Sequence, residues 1–187
     1  YFNNVRVINN GSIIGDDSVA RLGGTYIDPS NQAANLFVNN GTIQVVANNF
    51  VSLVGDSGGN FTGNGVYRAD GANAFLHLAN SVTVIGGNYT TTGGGVVRVP
   101  TLHTANVTDP AITTGSEFRV ESGSRLNVTG TVNVQGALNI ISGGAGNAAL
   151  GVTGAVTLQG AGTTRFNSSA TSSATTDTQG TITIAAG

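Results

Sequence analysis

The chain contains no Cys, Met, Trp or Lys, and only 9% of its 187 residues are charged. Without Cys there is no disulfide framework, no thiolate metal site and no thiol nucleophile, and without Lys there is no Schiff-base chemistry on a lysine. Seven arginines against nine acidic residues leave a formal net charge of −2. Because a protein that reads phosphates needs a dense basic surface, the composition predicts that nucleic acid is not a partner.

Long hydrophobic runs are also missing. No segment approaches the ~20 consecutive apolar residues that a membrane helix requires, so no membrane insertion is expected. The chain begins with Tyr1 and Phe2, without Met or a signal segment, which predicts a processed or excised product. A Cys-free composition rich in Asn, Thr, Ser and Gly suits oxidising surroundings, and we expect an extracellular or cell-surface location.

Short segments of alternating apolar and polar residues dominate the chain, and helical periodicity is almost absent. A period of two, broken at Gly, Asn or Ser, predicts β-strands. Two segments match each other as V-I-N-N-G-S-I from Val7 and F-V-N-N-G-T-I from Phe37, and a weaker third copy runs from Phe75 to Ile85. Such an internal repeat predicts structural units that stack on one another.

The repeat becomes most regular after Leu126, where the chain reads LNVTGT, VNVQGA, LNIISG, GAGNAA, LGVTGA and VTLQGA. Five of these blocks have apolar residues in the first and third places, and four have Gly in the fifth. A short strand followed by a Gly bend makes the chain turn once in every block. Three blocks then close one coil, which predicts 126–143 and 144–161 as successive coils.

These patterns predict one all-β domain over 1–187, a β-solenoid of about 8–9 coils of roughly 20 residues. We expect irregular coils with loop insertions over 1–117 and regular six-residue-block coils over 118–161. A polar run and a terminal strand follow over 162–187. The inward side chains of successive coils are expected to form one narrow core.

Three stretches between the strand patterns contain Gly or Pro and are expected to project as loops, namely Gly15–Gln32, Gly55–Asn64 and Pro100–Gly115. The polar run Ser168–Thr178 is expected to be mobile or glycosylated. Two other architectures stay open at this point. One is a left-handed β-helix of the hexapeptide type, and the other is a pilin-like β-sandwich that donates residues 1–14 to its neighbour.

The phrases NNGTIQV, GVYRADGANAFLHLANSVTVIGGNYTTTGGGVV and LNVTGTVNVQGALNIISGG resemble repeats of large secreted bacterial surface proteins. The similarity is to autotransporter passengers and filamentous-haemagglutinin-like adhesins, and it covers most of the chain. The resemblance implies a right-handed parallel β-helix outside the cell that serves adhesion or a matrix. It brings no catalytic residues, because no active-site motif of a β-helix enzyme is recognisable.

Candidate catalytic patterns are few. Gly55–Gly59 reads GDSGG, which resembles the loop around the nucleophile of trypsin-like proteases, but His77 and His103 both follow its serine, whereas the base of that family precedes it. Glu117, Arg119 and Glu121 share one strand face, which indicates a solvated charge ladder. We therefore expect no enzyme, no catalytic residue and no cofactor.

Oxygen ligands for calcium are available in two places, Asp56 with Asn60 and Asp70 with Asn73. The Asp at a fixed place in every turn that a nonapeptide calcium repeat requires is missing, so turns rather than metal sites are expected. No second His stands at ligand spacing from either histidine, and no zinc site is expected.

Asn is frequent at strand ends and within N-x-[ST] triplets. Because Asn tolerates the left-handed conformation and can stack in hydrogen-bonded ladders, a structural role is favoured over glycosylation. The triplets begin at Asn10, Asn40, Asn60, Asn88, Asn106, Asn127 and Asn167.

The ends of the solenoid suggest the function. Strand pattern begins by the first residues and continues to the last ones, and no amphipathic helix that could cap an open edge is seen. We therefore expect a structural subunit of an extracellular bacterial fibre or matrix, a head-to-tail homopolymer joined through Val5, Val7, Ile8, Ile182 and Ile184. The alternative is an adhesin passenger fragment whose loops bind glycan or a host surface, with Tyr26, Tyr67 and Tyr89 stacking on sugars.

Overall fold

The computed structural model describes residues 7–16, 25–27, 36–55, 60–169 and 171–185, and only the backbone of 25–27, 36 and 177–179. These parts of the chain contain twenty β-strands and no helix, and so include no helix that could span a membrane. The strands are β1 (Val7–Asn9), β2 (Ser12–Gly15), β3 (Thr25–Ile27), β4 (Leu36–Asn39), β5 (Thr42–Val46), β6 (Phe50–Val54), β7 (Asn60–Thr62), β8 (Val66–Asp70), β9 (Phe75–Ala79), β10 (Val82–Ile85), β11 (Asn88–Thr92), β12 (Val96–Val99), β13 (Thr104–Thr108), β14 (Ala111–Ile112), β15 (Glu117–Val120), β16 (Arg125–Val134), β17 (Ala137–Ile141), β18 (Ala148–Gln159), β19 (Thr163–Asn167) and β20 (Ala174–Ile184).

The strands form a parallel β-solenoid with three faces. From β1 to β15, each strand pairs in parallel with its equivalent in the next coil, which is the strand three places further along the chain through most of this region. The first face contains β1, β4, β7, β10 and β13, the second contains β2, β5, β8, β11 and β14, and the third is the seven-stranded sheet from β3 to β19. In the last coils, β16, β18 and β20 run continuously from the first face into the second. The predicted β-solenoid is therefore confirmed, and parallel pairing rules out the pilin-like sandwich.

The predicted coil of three six-residue blocks is wrong. Leu126 pairs with Leu150, whereas a three-block coil would place it over Gly144. The three blocks from Leu126 do supply the three faces of one coil, in β16 and β17. The fourth block, GAGNAA, begins instead with a turn in which Gly146 N–H bonds to Gly143 O at 3.0 Å, and it joins the third face to the first. The corner between the third and the first face therefore adds about one six-residue block to the length of the coil.

The coils are also more variable in length than expected. In the described residues, seven strands on the third face mark six turns between β3 and β19, and eight strands on the first face mark seven turns between β1 and β20. The stack therefore has seven or eight layers, against the expected eight or nine coils. Val7 pairs with Phe37, whereas Phe118 pairs with Leu138, so the first of these coils is much longer than the second. The right-handed winding implied by the resemblance stays a prediction.

All three predicted loops contain strands. Gly15–Gln32 contains β3, Gly55–Asn64 contains β7, and Pro100–Gly115 contains β13 and β14. The polar run Ser168–Thr178 likewise enters β20 at Ala174, which pairs with β18. Strands β7 and β13 were missed because their outward positions hold Asn and Thr, which are typical of turns as well.

The core is one continuous stack of inward side chains from successive coils. On the first face, Phe37 lies over Phe61 with ring centroids 5.0 Å apart. On the second face, Tyr67 lies over Tyr89 at 5.4 Å, and Tyr89 meets the edge of Phe118 from the third face at 5.1 Å. All five rings are at most 2% exposed. Aromatic stacking of this kind fixes the register of coil upon coil.

The V-I-N-N-G and F-V-N-N-G segments turn the same corner in consecutive coils. Asn9 Nδ2 donates to Asn39 Oδ1 at 2.8 Å, and Asn39 Nδ2 donates to Val66 O at 3.3 Å. The predicted inward Asn ladder is confirmed here. The third copy, by contrast, turns from β9 on the third face to β10 on the first, which is a different corner.

We expect the buried ladder to matter more for stability than its exposed counterpart one residue later. Asn39→Ala removes both hydrogen bonds of this side chain, the one accepted from Asn9 and the one donated to Val66 O, and should lower the free energy of unfolding by about 2 kcal/mol. Asn40→Ala removes only the exposed bond from Asn40 to Asn10, 3.2 Å long, and is the matched control. Its effect should stay within about 0.5 kcal/mol. Urea unfolding of both variants makes the comparison, and equal losses would contradict the assignment.

Burial of the two stacked tyrosines is unfavourable for their polar hydroxyl groups. The hydroxyl group of Tyr89 is buried and makes no hydrogen bond within the described residues, and the buried hydroxyl of Tyr67 has only the Asn39 amide close enough to act on it. Burial raises the pKa of both side chains above the ordinary tyrosine value. For Tyr67, the Asn39 amide opposes this rise in pKa only in part. A neutral hydroxyl is therefore favoured in the folded state.

Tyr89→Phe should leave the free energy of unfolding unchanged or raise it by up to about 1 kcal/mol, because it removes a buried group that lacks a partner. The variant should also lose less stability above pH ~10, where the unfolded chain releases a tyrosine proton that the folded chain retains. Chemical unfolding at neutral and alkaline pH measures both effects. A loss above about 1 kcal/mol at neutral pH would mean that the hydroxyl has a partner.

Candidate functional site

Because the core occupies the inward positions, functional chemistry is confined to the three outer faces and the two ends. The outer side of the first face is uncharged over most of its described length. Asn127 Nδ2 donates to Asn106 Oδ1 at 2.8 Å, and the hydroxyls of Thr108 and Thr129 lie 2.7 Å apart. Two N-x-T triplets are thereby explained as outward Asn and Thr columns on either side of an inward Val.

The calcium candidates do not form a common site. Asp70 accepts hydrogen bonds from Gln44, Arg68 and Thr92, whereas the Asn73 amide donates to Asn48 at 3.2 Å. Asn60 lies in β7 on the first face, away from both. Asp56 and most of the GDSGG phrase lie outside the described residues. Among the residues that are described, no three His, Asp or Glu side chains could share a metal ion.

The predicted charge ladder on the third face is present. Phe118 and Val120 point inward, and Arg119 binds the Glu117 carboxylate through contacts of 2.9 and 3.0 Å. Glu121 reaches the previous coil instead and binds Arg98 at 2.7 Å. Arg98 and Arg119, which lie over each other, thus each have a carboxylate of their own, which offsets the repulsion of stacked like charges.

Further along the same outer column, unlike residues replace the charges. Ser52, His77 and Arg98 occupy equivalent positions in three successive coils. The His77 ring stacks on Phe50 at 5.2 Å between centroids, and the Arg98 guanidinium lies 3.9 Å from the centroid of the Phe75 ring. This part of the face combines aromatic surface with nitrogen groups, which the other outer columns described here do not.

A groove of about 390 Å³ lies beside this cluster. Strands β6 and β9 form its floor, and the corner after β12 forms one wall. Its lining includes Phe50, Ser52, Val54, His77, Pro100 and His103. Sequence reasoning treated the two histidines as unrelated, and only the coil length brings them to one groove.

His77 is a neutral group in the folded protein. Burial, together with the nearby Arg98 charge and His103, lowers its pKa to about 3. Its Nδ1 lies 3.3 Å from Ser52 Oγ, and its buried Nε2 has no hydrogen-bond partner in the described chain. So weak a base is poorly suited to take a proton from Ser52, which argues against a Ser–His nucleophile.

The aromatic residues expected to stack on sugars lie elsewhere. Tyr67 and Tyr89 are 0% and 1% exposed, so the expectation that they bind glycan is wrong. Both tyrosines point into the solenoid from β8 and β11, and the residues that follow them, Arg68 and Thr90, point outward. The side chain of Tyr26 lies outside the described residues.

The residues expected at the ends fall into two groups. Val7 and Ile182 point into the solenoid and pack against the core, and Ile184 follows Ile182 at the next inward position. Ile8 points outward on the first face and is 51% exposed. Val5 lies outside the described residues.

No family model, curated protein or solved structure matches this chain. The candidate site therefore depends on the geometry alone.

The lowered pKa of His77 predicts a loss of stability in mild acid. Below the ordinary pKa of about 6.5, the unfolded chain binds a proton that folded His77 rejects until pH falls to about 3. The free energy of unfolding should therefore fall by about 2 kcal/mol between pH 6.5 and 5 through this group. Urea unfolding of wild type and His77→Phe at pH 7 and 5 tests this. The same pH dependence in both proteins would contradict it.

Proposed function

We propose that this chain is a structural element of an extracellular bacterial fibre or matrix, in which solenoids join end to end. The single observation that carries the proposal is the exposure of inward-facing apolar side chains at the last described coil. Elsewhere in the solenoid these positions are closed by the next coil.

Phe166 and Ile184 are more exposed than the residues that they pair with in the previous coil. Phe166 pairs with Ile140 and occupies the same inward position, yet it is 40% exposed while Ile140 is 0% exposed. Ile184 pairs with Leu158 and is 81% exposed. A cleft of about 230 Å³ lies between Ile184, Leu158 and Val134 at this end. A further layer of strands would remove this apolar surface from water.

The strand edges at the two ends are compatible with such a layer. Within the described residues, β20 pairs only with β18, and β19 only with β17. At the opposite end, and again counting described strands alone, β1, β2 and β3 pair only with the next coil. Because head-to-tail stacking keeps all strands in one direction, parallel pairing can continue across the contact. A contact of this heterologous kind does not close on itself and builds a filament.

The amide groups at the open edge identify the residues to test. Ala185 N–H bonds to Leu158 O at 2.9 Å, so Ala185 faces β18. Neighbouring residues of a parallel strand bond in opposite directions, which directs the amide of Ile184 toward the open side. Ile184 thus contributes both apolar surface and an edge donor.

Electron microscopy of the natively purified chain tests the proposal. We expect filaments for the wild type and for Thr183→Lys, whose added charge lies on the outer flank of the solenoid. Ile184→Lys should abolish them, because it places a charge at the end face of an edge strand. Dispersed short particles for the wild type, or equal filament formation by the two Lys variants, would overturn the proposal.

A further inference from the structure

The outer side of the first face has a column of residues that is β-branched in each of the six strands from β1 to β16. Each member lies over the next in the parallel register, and we call this set the β-branched column. It consists of Ile8, Val38, Thr62, Ile85, Thr108 and Thr129. Ile8 and Ile85 are 51% and 43% exposed, although the same strands direct other apolar residues into the core. The face therefore presents apolar surface that the core of this chain does not use.

Strand propensity by itself does not account for the β-branched column. Such residues are favoured at any outward position of a strand. The neighbouring outward column of the same face nevertheless consists mainly of Asn, in the order Asn60, Thr83, Asn106 and Asn127. Asn127 Nδ2 donates to Asn106 Oδ1 along this second column at 2.8 Å. The face thus combines a row of methyl groups with a row of amides.

Charge distinguishes this face from the other two. No charged residue occurs in its strands β1, β4, β7, β10 and β13, and Arg125 in β16 is the first one along the stack. By contrast, the ion pair of Arg68 and Asp70 lies on the second face, and the arginine–glutamate ladder lies on the third. Burying a charge is costly. Of the three faces, the first is therefore the one that a second surface can cover at least cost.

The spacing of the strands indicates which surface that is. Successive strands of a sheet repeat every ~4.8 Å. A partner whose side chains enter between those of the β-branched column along its whole length needs the same repeat. A second copy of this chain has that repeat, because its own column is built on the same backbone pairing. Stacked β-strands join through dry faces of interdigitated side chains in this way.

We propose that two copies of this solenoid associate side by side through their first faces, with the β-branched column of one copy packed against that of the other. The contact is isologous, since both copies use the same surface. It lies on the flank of the solenoid and does not involve the end faces. In a fibre it joins filaments into bundles, and this last step rests on the proposed end-to-end assembly.

The size of the face predicts that the contact is weak between single copies and strong between filaments. Six strands at ~4.8 Å and five residues at ~3.3 Å give a face of about 29 Å by about 16 Å, or roughly 450 Å² on each copy. Stable complexes bury about 800 Å² per partner. A dimer of single copies should therefore need millimolar concentrations. A filament multiplies the contact by the number of its subunits.

Sedimentation equilibrium of the Ile184→Lys chain at up to about 2 mM tests the contact without filaments, because this substitution is expected to block the end face. We expect a monomer–dimer equilibrium. Adding Ile85→Glu should weaken the dimer at least tenfold, since it places two carboxylates in an apolar contact. Ile14→Glu is the matched control, because Ile14 is 56% exposed on the outer side of the second face, and it should leave the dimer unchanged. Circular dichroism confirms that each variant is folded.

Electron microscopy gives the second readout. Wild-type filaments should lie side by side in bundles, and so should filaments of Thr183→Lys, whose added charge lies on the second face. Filaments of Ile85→Glu should be single and as long as those of the wild type.

The two proposals fail in different ways. The lateral contact would be overturned by the absence of a dimer at about 2 mM, by dimers of equal strength in the Ile85→Glu and Ile14→Glu chains, or by bundled Ile85→Glu filaments. The absence of wild-type filaments would overturn end-to-end assembly instead, and the sedimentation experiment would then decide the lateral contact alone.

Discussion

Parallel pairing of each strand with its equivalent one coil away is the constraint on which the rest of this structure depends. It places every side chain directly over the residue at the same position of the next coil. Like residues then meet like residues, as in the inward pairs Phe37–Phe61 and Tyr67–Tyr89. The same rule gives polar ladders, of which the buried Asn9–Asn39 pair is the clearest example.

Such stacking also places like charges over one another in successive coils, where they repel. Arg98 lies over Arg119 on the third face, and each is neutralised by a separate carboxylate, Glu121 in one case and Glu117 in the other. Glu117 also accepts a hydrogen bond from Asn139 in the coil that follows. The low charge content of the chain is consistent with this geometry, because a solenoid has few outward sites where a charge meets an opposite one.

The two candidate sites are both places where the repetition stops. On the third face, Ser52, His77 and Arg98 differ from one coil to the next, and a groove of mixed polar and apolar lining lies beside them. At the last described coil, no further layer of described strands covers Phe166 and Ile184, and inward side chains face water. The proposed end-to-end assembly would cover the second of these surfaces.

The sequence by itself determined the period of the strands, the positions of many corners and the absence of helical pattern. Alternation identifies the inward residues of β16 and β17, and Gly130 (φ +72°) supplies the left-handed bend that the six-residue blocks predict. It could not determine the length of a coil, because corner segments such as 143–147 have no apolar pattern of their own. Only the tertiary structure decided that Leu126 meets Leu150 and that His77 and His103 line one groove. The physical reason is that register between coils is chosen by packing and backbone pairing over the whole stack, and no local pattern encodes it.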